Sequence, residues 1–326
     1  MRAIRQHAFG GPEQLRLEEV PDPRPADDQV RIRVESAGVH LLDTIVRQGG
    51  GGRGGAPSLP MTPGREVAGV VDEVGADVDT DLAGRRVVAD LGLVGGGYAE
   101  LALASAAAVH LLPDDVEADS AVAMVGTGRT TLAILALAAP AADDVVLVTA
   151  AAGGIGTLLV QACRAAGATV VGVAGGTDKV ALARRIGADH AIDYSRPDWP
   201  DTVRDDLAGR PVTLALDGVG GQIGRSALEL LGVTGRLVMF GSASGSLTEL
   251  SAGDLFNQGI SVASAIGVRI LQRPGGTRPL ERDALQALYD KRLIPVVGQR
   301  LALADAPDAH AALQSRATTG KTVLRP

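Results

Sequence analysis

The chain has one cysteine in 326 residues, aromatics at only 2%, and no excess of positive charge, its formal net charge being −7. A single cysteine excludes an internal disulfide. Cys163 lies in the middle of LVQACRAAG, an apolar-periodic stretch, and reads as a small buried side chain rather than a catalytic thiol. Few rings and an acidic balance argue against nucleic acid as a partner, which takes a basic face and stacking platforms to bind. Long apolar runs are missing too. The longest, Thr130 to Ala142, is broken by Pro140 and too short to span a bilayer, and the N-terminal MRAIRQHAFGG lacks the apolar centre of a signal peptide. These absences lead to the expectation of a cytoplasmic protein that binds neither nucleic acid nor membrane.

What the chain does have is apolar residues (46%) in a pattern that changes along its length, with enough of them to fill two domains. The pattern is clearest from Val145 to Gly176. There a buried-strand run, Val145 to Val148, meets a glycine turn, then a helix expected from Ile155 to Ala166, then a second strand, Thr169 to Val173. This is a βαβ unit. Gly153, Gly154 and Gly156 fall where such a unit opens its helix, so the backbone can approach a pyrophosphate held on free N–H groups. The first glycine of the strict GxGxxG pattern is replaced by Ala151, but strand, turn, helix and strand supply the context a dinucleotide site needs.

Residues 1 to about 118 read as short β runs punctuated by Pro and Gly: VRIRVESAGV from Val30, REVAGVVDEVG from Arg65, RRVVAD from Arg85 and GYAELALA from Gly97. Between the first two lies RQGGGGRGGAPSLP, Arg47 to Pro60, expected as a surface loop or a mobile flap beside the site. From Asp119 to about residue 265, helices and strands alternate, which predicts a doubly wound parallel sheet. Residues 266–326 return to β character at PVVGQRLAL and KTVLRP, and are expected to rejoin the first domain.

The cofactor can be narrowed. NAD-binding units of this kind place Asp or Glu at the end of the second strand to hold the ribose hydroxyls. Here that place is Ala174, Gly175 and Gly176, followed by Thr177, Asp178 and Lys179. A hydroxyl and an ammonium stand where a 2′-phosphate would sit, which favours NADP(H). Lys179 is equally readable as a first-turn surface lysine.

Several segments, in order and spacing, resemble the zinc-free quinone oxidoreductases of the medium-chain dehydrogenase/reductase superfamily over essentially the whole chain. They are AGVHLLDTIVRQG from Ala37, PGREVAGVVDEVG from Pro63, GRTT from Gly128, AAAGGIG from Ala150, IDY from Ile192, DGVGG from Asp217, FGSASG from Phe240 and the C-terminal GKTVLRP. The resemblance implies an α/β fold: a Rossmann domain with a doubly wound parallel sheet (119–265), joined to an irregular, GroES-like catalytic β domain (1–118 and 266–326). It implies that Gly153, Gly154, Ile155, Lys179, Tyr194 and Thr130 grip the dinucleotide, and that Val219, Phe240 and Gly241 wall the nicotinamide and ribose site. The zinc branch carries Cys and His ligands that this chain lacks. Its GHE position reads Gly64-Arg65-Glu66, and a guanidinium has no lone pair to give a metal. No metal is therefore expected, and the implied reaction is hydride delivery from NADPH to a quinone or an α,β-unsaturated carbonyl.

Two positions depart from the family. Its pocket asparagine corresponds to His40, and a nearby tyrosine to Ile45. His40 is the candidate catalytic residue, as donor to the substrate oxygen or the carboxamide, with a purely structural hydrogen bond as the alternative. Asp43 is expected to be structural. A short-chain dehydrogenase is disfavoured, because Tyr98, Tyr194 and Tyr289 have no lysine four residues on. An NADPH-binding sensor without turnover is the alternative from another class. The apolar run Ile260 to Ile266 predicts a sheet-edge strand and, through it, a homodimer.

Overall fold

The computed structural model describes residues 1–50, 57–92 and 95–326. Along the chain come β1 (Arg2–Arg5), β2 (Arg16–Glu19), β3 (Gln29–Val39), α1 (Leu41–Arg47), β4 (Glu66–Val74), β5 (Arg86–Asp90), β6 (Leu101–Ser105), β7 (Val109–Leu111) and α2 (Ala118–Val125). Then follow α3 (Thr127–Ala138), β8 (Val145–Thr149), α4 (Gly154–Ala165), β9 (Thr169–Ala174), α5 (Thr177–Arg185), β10 (His190–Asp193), α6 (Trp199–Asp206), β11 (Val212–Asp217), α7 (Gly221–Glu229) and β12 (Leu231–Met239). The rest is α8 (Ala252–Gln258), β13 (Ser261–Ser264), α9 (Val268–Leu271), α10 (Arg278–Tyr289), β14 (Val297–Ala302), α11 (Ala306–Gln314) and β15 (Lys321–Arg325).

The chain divides into two compact units, Met1–Gly126 with Ala284–Pro326, and Thr127–Asp283. The divisions fall later than the sequence pattern suggested, at 126 rather than 118 and at 283 rather than 265. Ala121 to Val125 of α2 are buried, and that helix packs on β3, β4 and β5 of the first unit. Ile266 joins the core of the second.

The first unit is built on a seven-stranded sheet in the order β14-β15-β3-β4-β5-β7, with β6 paired to β3. The long β3 is its centre. Register shifts between Arg31 and Ile32 and between Val34 and Ser36 let it bend, so that it pairs with β4, β6 and, at its C-terminal end, β15. Ile4, Ile32, Val67, Val71, Val87 and Leu324 fill the core beside it, each worth roughly 1.5–3 kcal/mol on burial. The glycine-rich stretch expected as a flap lies partly at residues 51–56, outside the described residues. Arg47, expected to open it, is instead the last residue of α1 and fully buried. Its guanidinium carries that residue inward because Gly10 O, His310 Nδ1 and Gln314 Oε1 are there to accept from it, at 3.1, 3.1 and 2.8 Å.

The second unit is a six-stranded parallel sheet, β10-β9-β8-β11-β12-β13. Strand β8 is buried along its whole length: Val146 and Val148 face one core with Leu159, Leu214 and Leu216, while Val145 and Leu147 face the other with Trp199, Val203 and Ala215. Burial on both faces is why the strand reads as an unbroken apolar run. From β8 the chain winds outward through β9 and β10, then returns to lay β11, β12 and β13 on the other side. The reversal opens a crevice beyond the C-terminal ends of β8 and β11.

Candidate functional site

In the second unit, Ala150 makes the turn out of β8 with φ of 49°, a left-handed conformation held by a residue with a Cβ. Gly153 then caps α4 in an extended conformation, leaving that helix's first N–H groups directed outward. Gly156 lies where a Cβ would collide with Ala150 O, so only glycine lets the helix approach β8 this closely. Ile155 is half-buried beside them.

At the end of β9, Gly176 with φ of 90° turns the chain into α5, whose first residue, Thr177, is exposed and whose Lys179 is half-buried. Tyr194 follows β10 and reaches the same turn: a Cβ on Gly175 would lie 3.1 Å from its ring. One element escaped the sequence reading here. Asp193 brings a carboxylate to this turn from the neighbouring strand, where it accepts from Gly176 N at 2.9 Å, Ser195 N at 2.9 Å and Ser195 Oγ at 2.7 Å. Those donors, the Gly176 amide first, hold its pKa below the usual carboxylate range.

On the other side of the crevice, Asp217 shapes the turn after β11. Its carboxylate accepts from Thr149 Oγ1 (2.8 Å), Val219 N (2.9 Å) and Thr248 Oγ1 (2.6 Å). The segment after β12 is tied to that turn through Ala243 N to Gly218 O and Ser244 N to Val219 O. Gly241 is at this edge, while the side chains of Val219 and Phe240 are buried at 1% and 8% exposure, so Val219 presents mainly backbone. The parallel sheet thus gathers Gly153, Gly154, Ile155, Thr177, Lys179, Tyr194, Val219, Phe240 and Gly241 at one set of strand ends. Thr130 is half-buried on α3, the helix that packs on α4.

In the first unit, His40 follows directly on β3. The pairing Thr322 with Val39, continued by one residue, sets Lys321 opposite His40, and the pairing Val67 with Ala37 likewise sets Glu66 opposite Gly38. Glycine is required at that position, since a Cβ on Gly38 would lie 2.5 Å from Glu66 Oε2 and 3.0 Å from Lys321 Cε. The result is a triangle: His40 Nε2 to Glu66 Oε2 at 2.6 Å, Lys321 Nζ to Glu66 Oε2 at 2.9 Å, and Lys321 Nζ to His40 Nε2 at 2.7 Å. Glu66 is fully buried. Burial alone would raise its pKa, but the charges of His40 and Lys321 outweigh it and hold the carboxyl ionised, well below its ordinary range.

A second network braces His40 from behind. Asp43, on the first turn of α1, accepts from the His40 backbone N–H at 2.8 Å, from Arg65 Nε at 3.1 Å and from Tyr98 Oη at 3.0 Å. Its expected structural role agrees with these contacts. A guanidinium can only donate, so Arg47 Nη1 fixes His310 Nδ1 as acceptor. His310 then carries its proton on Nε2 and donates to Tyr98 Oη at 3.2 Å, which donates onward to Asp43. Glu66, Lys321, Tyr98 and His310 were given no role by sequence reasoning. The available signal was a charge inside the apolar strands EVAGVV and KTVL, because a charge buried in a sheet needs an opposite partner.

Arg65, at the position where the zinc branch carries a ligand, is committed to Asp43. Cys163 is on the buried face of α4, and burial pushes its thiol up to about 12. Among the described residues no group of three or more His, Cys, Asp or Glu side chains is arranged to hold a metal.

A Rossmann unit with a glycine cradle at its switch point, in one chain with a GroES-like β unit, defines a medium-chain dehydrogenase/reductase. The alcohol dehydrogenase GroES-like domain model matches residues 26–114, and the zinc-binding dehydrogenase model residues 154–278. The chain belongs to the quinone oxidoreductase family: it is 33% identical to the quinone oxidoreductase of Pseudomonas aeruginosa over 100% of this chain and 99% of that protein. Among solved structures, the Escherichia coli quinone oxidoreductase complexed with NADPH is similar with a TM-score of 0.88 and 29% identity, covering 100% of both chains. A mycobacterial protein complexed with NADPH is similar with a TM-score of 0.87 and 32% identity, also over 100% of both.

Proposed function

We propose that this protein transfers a hydride from NADPH to a small quinone or α,β-unsaturated carbonyl without a metal, and that His40 gives the developing oxyanion its proton. The observation that carries the reading is the cradle: a glycine-opened α4 N-terminus for the pyrophosphate, with Thr177 and Lys179, rather than a carboxylate of β9, following the second strand. Those residues, with Tyr194 across the turn, would hold a 2′-phosphorylated dinucleotide, and the cofactor supplies the hydride when bound. NADPH-dependent oxidoreduction also accords with the family. Without a metal to polarise the carbonyl, the acceptor is one that conjugation already activates, and a donor at its oxygen completes the reaction. Two copies associate through the edge strand β13. On α8, the helix that leads into β13, Phe256 is 91% exposed, an apolar side chain suited to a second copy.

The test is NADPH oxidation with p-benzoquinone and with cyclohex-2-enone, with and without chelator, beside dissociation constants for NADPH and NADH. Turnover indifferent to chelator is expected, with NADPH bound at least about tenfold more tightly, roughly 1.4 kcal/mol, and the gap narrowed by Lys179→Ala. NADPH binding without turnover on either acceptor would favour the sensor instead, and equal affinity for both cofactors would remove the 2′-phosphate argument.

A further inference from the structure

We propose that Asp193 is a specificity-determining residue of the dinucleotide site: the ribose carboxylate that β9 lacks is supplied by the neighbouring strand β10, where it accepts from the adenosine ribose of NADH and repels the 2′-phosphate of NADPH. The proposal rests on the reading that the β9–α5 turn holds that end of the cofactor, and it says what limits the preference for NADPH.

Parallel pairing sets Asp193, the last residue of β10, beside Ala174, the last residue of β9. Its side chain therefore reaches the turn at which an NAD-binding unit carries its own Asp or Glu. The contacts there are one-sided. Gly176 N, Ser195 N and Ser195 Oγ, at 2.9, 2.9 and 2.7 Å, all donate to Oδ1. Among the described residues no hydrogen bond or ion pair reaches Oδ2. Arg196, whose charge also acts on Asp193, donates to Asp198 instead, through Nε and Nη2 at 3.2 and 3.1 Å. Asp193 is half-buried and ionised at neutral pH, so the turn carries a full negative charge with one acceptor oxygen uncommitted.

A ribose hydroxyl and a phosphate respond to that oxygen in opposite ways. The hydroxyl donates to it, in a bond strengthened by the carboxylate charge. The phosphate is an anion and is repelled. Thr177 and Lys179, on the first turn of α5, act the other way, since a hydroxyl and an ammonium both favour the phosphate. Discrimination at this turn is thus the balance of a carboxylate on β10 and an ammonium on α5, two groups that can be removed separately. Asp178, the other carboxylate of that first turn, is exposed, so water and salt screen it more than they screen half-buried Asp193. An Asp193 that served only to fix Gly176 and Ser195 would support both cofactors alike, whereas a ribose carboxylate must move them apart.

Asp193→Asn separates the two roles, because its amide oxygen can still accept from all three donors while the charge is gone. Dissociation constants for NADPH and NADH are measured by calorimetric titration of the full chain at low and at high salt. Relative to the parent, Asp193→Asn should bind NADPH at least about threefold more tightly and NADH at least about threefold more weakly. The gain for NADPH should shrink at about 0.5 M salt, since it comes from lost repulsion, and the loss for NADH should persist. Both cofactors weakened together would reduce Asp193 to a brace of the turn and overturn the proposal. So would an Asp178→Asn control that shifts the ratio as far. Lys179→Ala makes a second test that leaves the bonds of Asp193 in place: with the ammonium gone and the carboxylate kept, NADH should bind more tightly than NADPH, and a surviving preference for NADPH would refute the role of Asp193. Equal affinity for both cofactors in the parent would instead refute the reading of the turn as a 2′-phosphate site, while a ratio that still moves with Asp193→Asn would uphold the role of the carboxylate.

Discussion

His310 is buried at 0% exposure among Arg47, Tyr98 and Asp43, and it carries a pH signature of its own. Burial, helped by the Arg47 charge and opposed by Asp43, pushes its pKa down to about 4, against about 6.5 in an unfolded chain. Between those values the unfolded chain binds a proton that the folded one refuses. Stability is therefore lost as pH falls through 6.5 towards 4, by up to about 3 kcal/mol, and this contribution levels off below. His310→Gln should flatten the fall in urea-derived stability between pH 6.5 and 4.5. An unchanged slope would show that another group titrates in that window. Glu66 is distinct, because its folded pKa is depressed from an ordinary carboxylate value, so its contribution is present above about pH 4.3 and disappears only at lower pH.

The β8–α4 turn is the element on which dinucleotide binding depends, and two substitutions there should act in opposite directions. Ala150 holds a left-handed φ of 49°. Such a conformation costs a residue with a Cβ about 1–2 kcal/mol, part of which glycine would give back as chain entropy, so Ala150→Gly should stabilise by about 0.5–1 kcal/mol. Gly156→Ala puts a Cβ against Ala150 O, forces α4 away from β8 and should weaken NADPH binding at least about tenfold. Denaturant titration and calorimetric NADPH titration of both variants decide it, and an Ala150→Gly protein less stable than the parent would contradict the strain argument. The sequence marked this turn as a pyrophosphate site but placed the missing glycine at Ala151. The strained residue is its neighbour, Ala150, because β8 runs to Thr149, one residue further than its apolar run.

At the scale of the whole molecule, the proposed homodimer makes the most direct test. Phe256 is 91% exposed on α8, the helix leading into β13, and packs on nothing that the fold needs. Phe256→Glu should shift the mass in light scattering from two chains towards one at micromolar concentration while leaving the melting temperature within a few degrees. A parent that is monomeric at that concentration would remove the assembly altogether.

Local pattern determined much of this protein. The uninterrupted apolar strand at Val145, the glycines at 153, 154 and 156, and the strand–helix alternation to Phe240 set out the parallel sheet and its cradle, because a strand buried on both faces and a helix opened for an anion each have a short-range signature. The absence of Asp or Glu at the end of β9 was visible for the same reason. Tertiary structure alone decided what surrounds His40. Glu66 and Lys321 are 255 residues apart and meet only because β4 and β15 both register against the end of β3 with a glycine between them. Arg47 and His310, 263 residues apart, likewise meet only when α11 packs on α1. Strand register and long-range side-chain pairing depend on the closed fold, so a charge in KTVL could announce that it needed a partner but not which one.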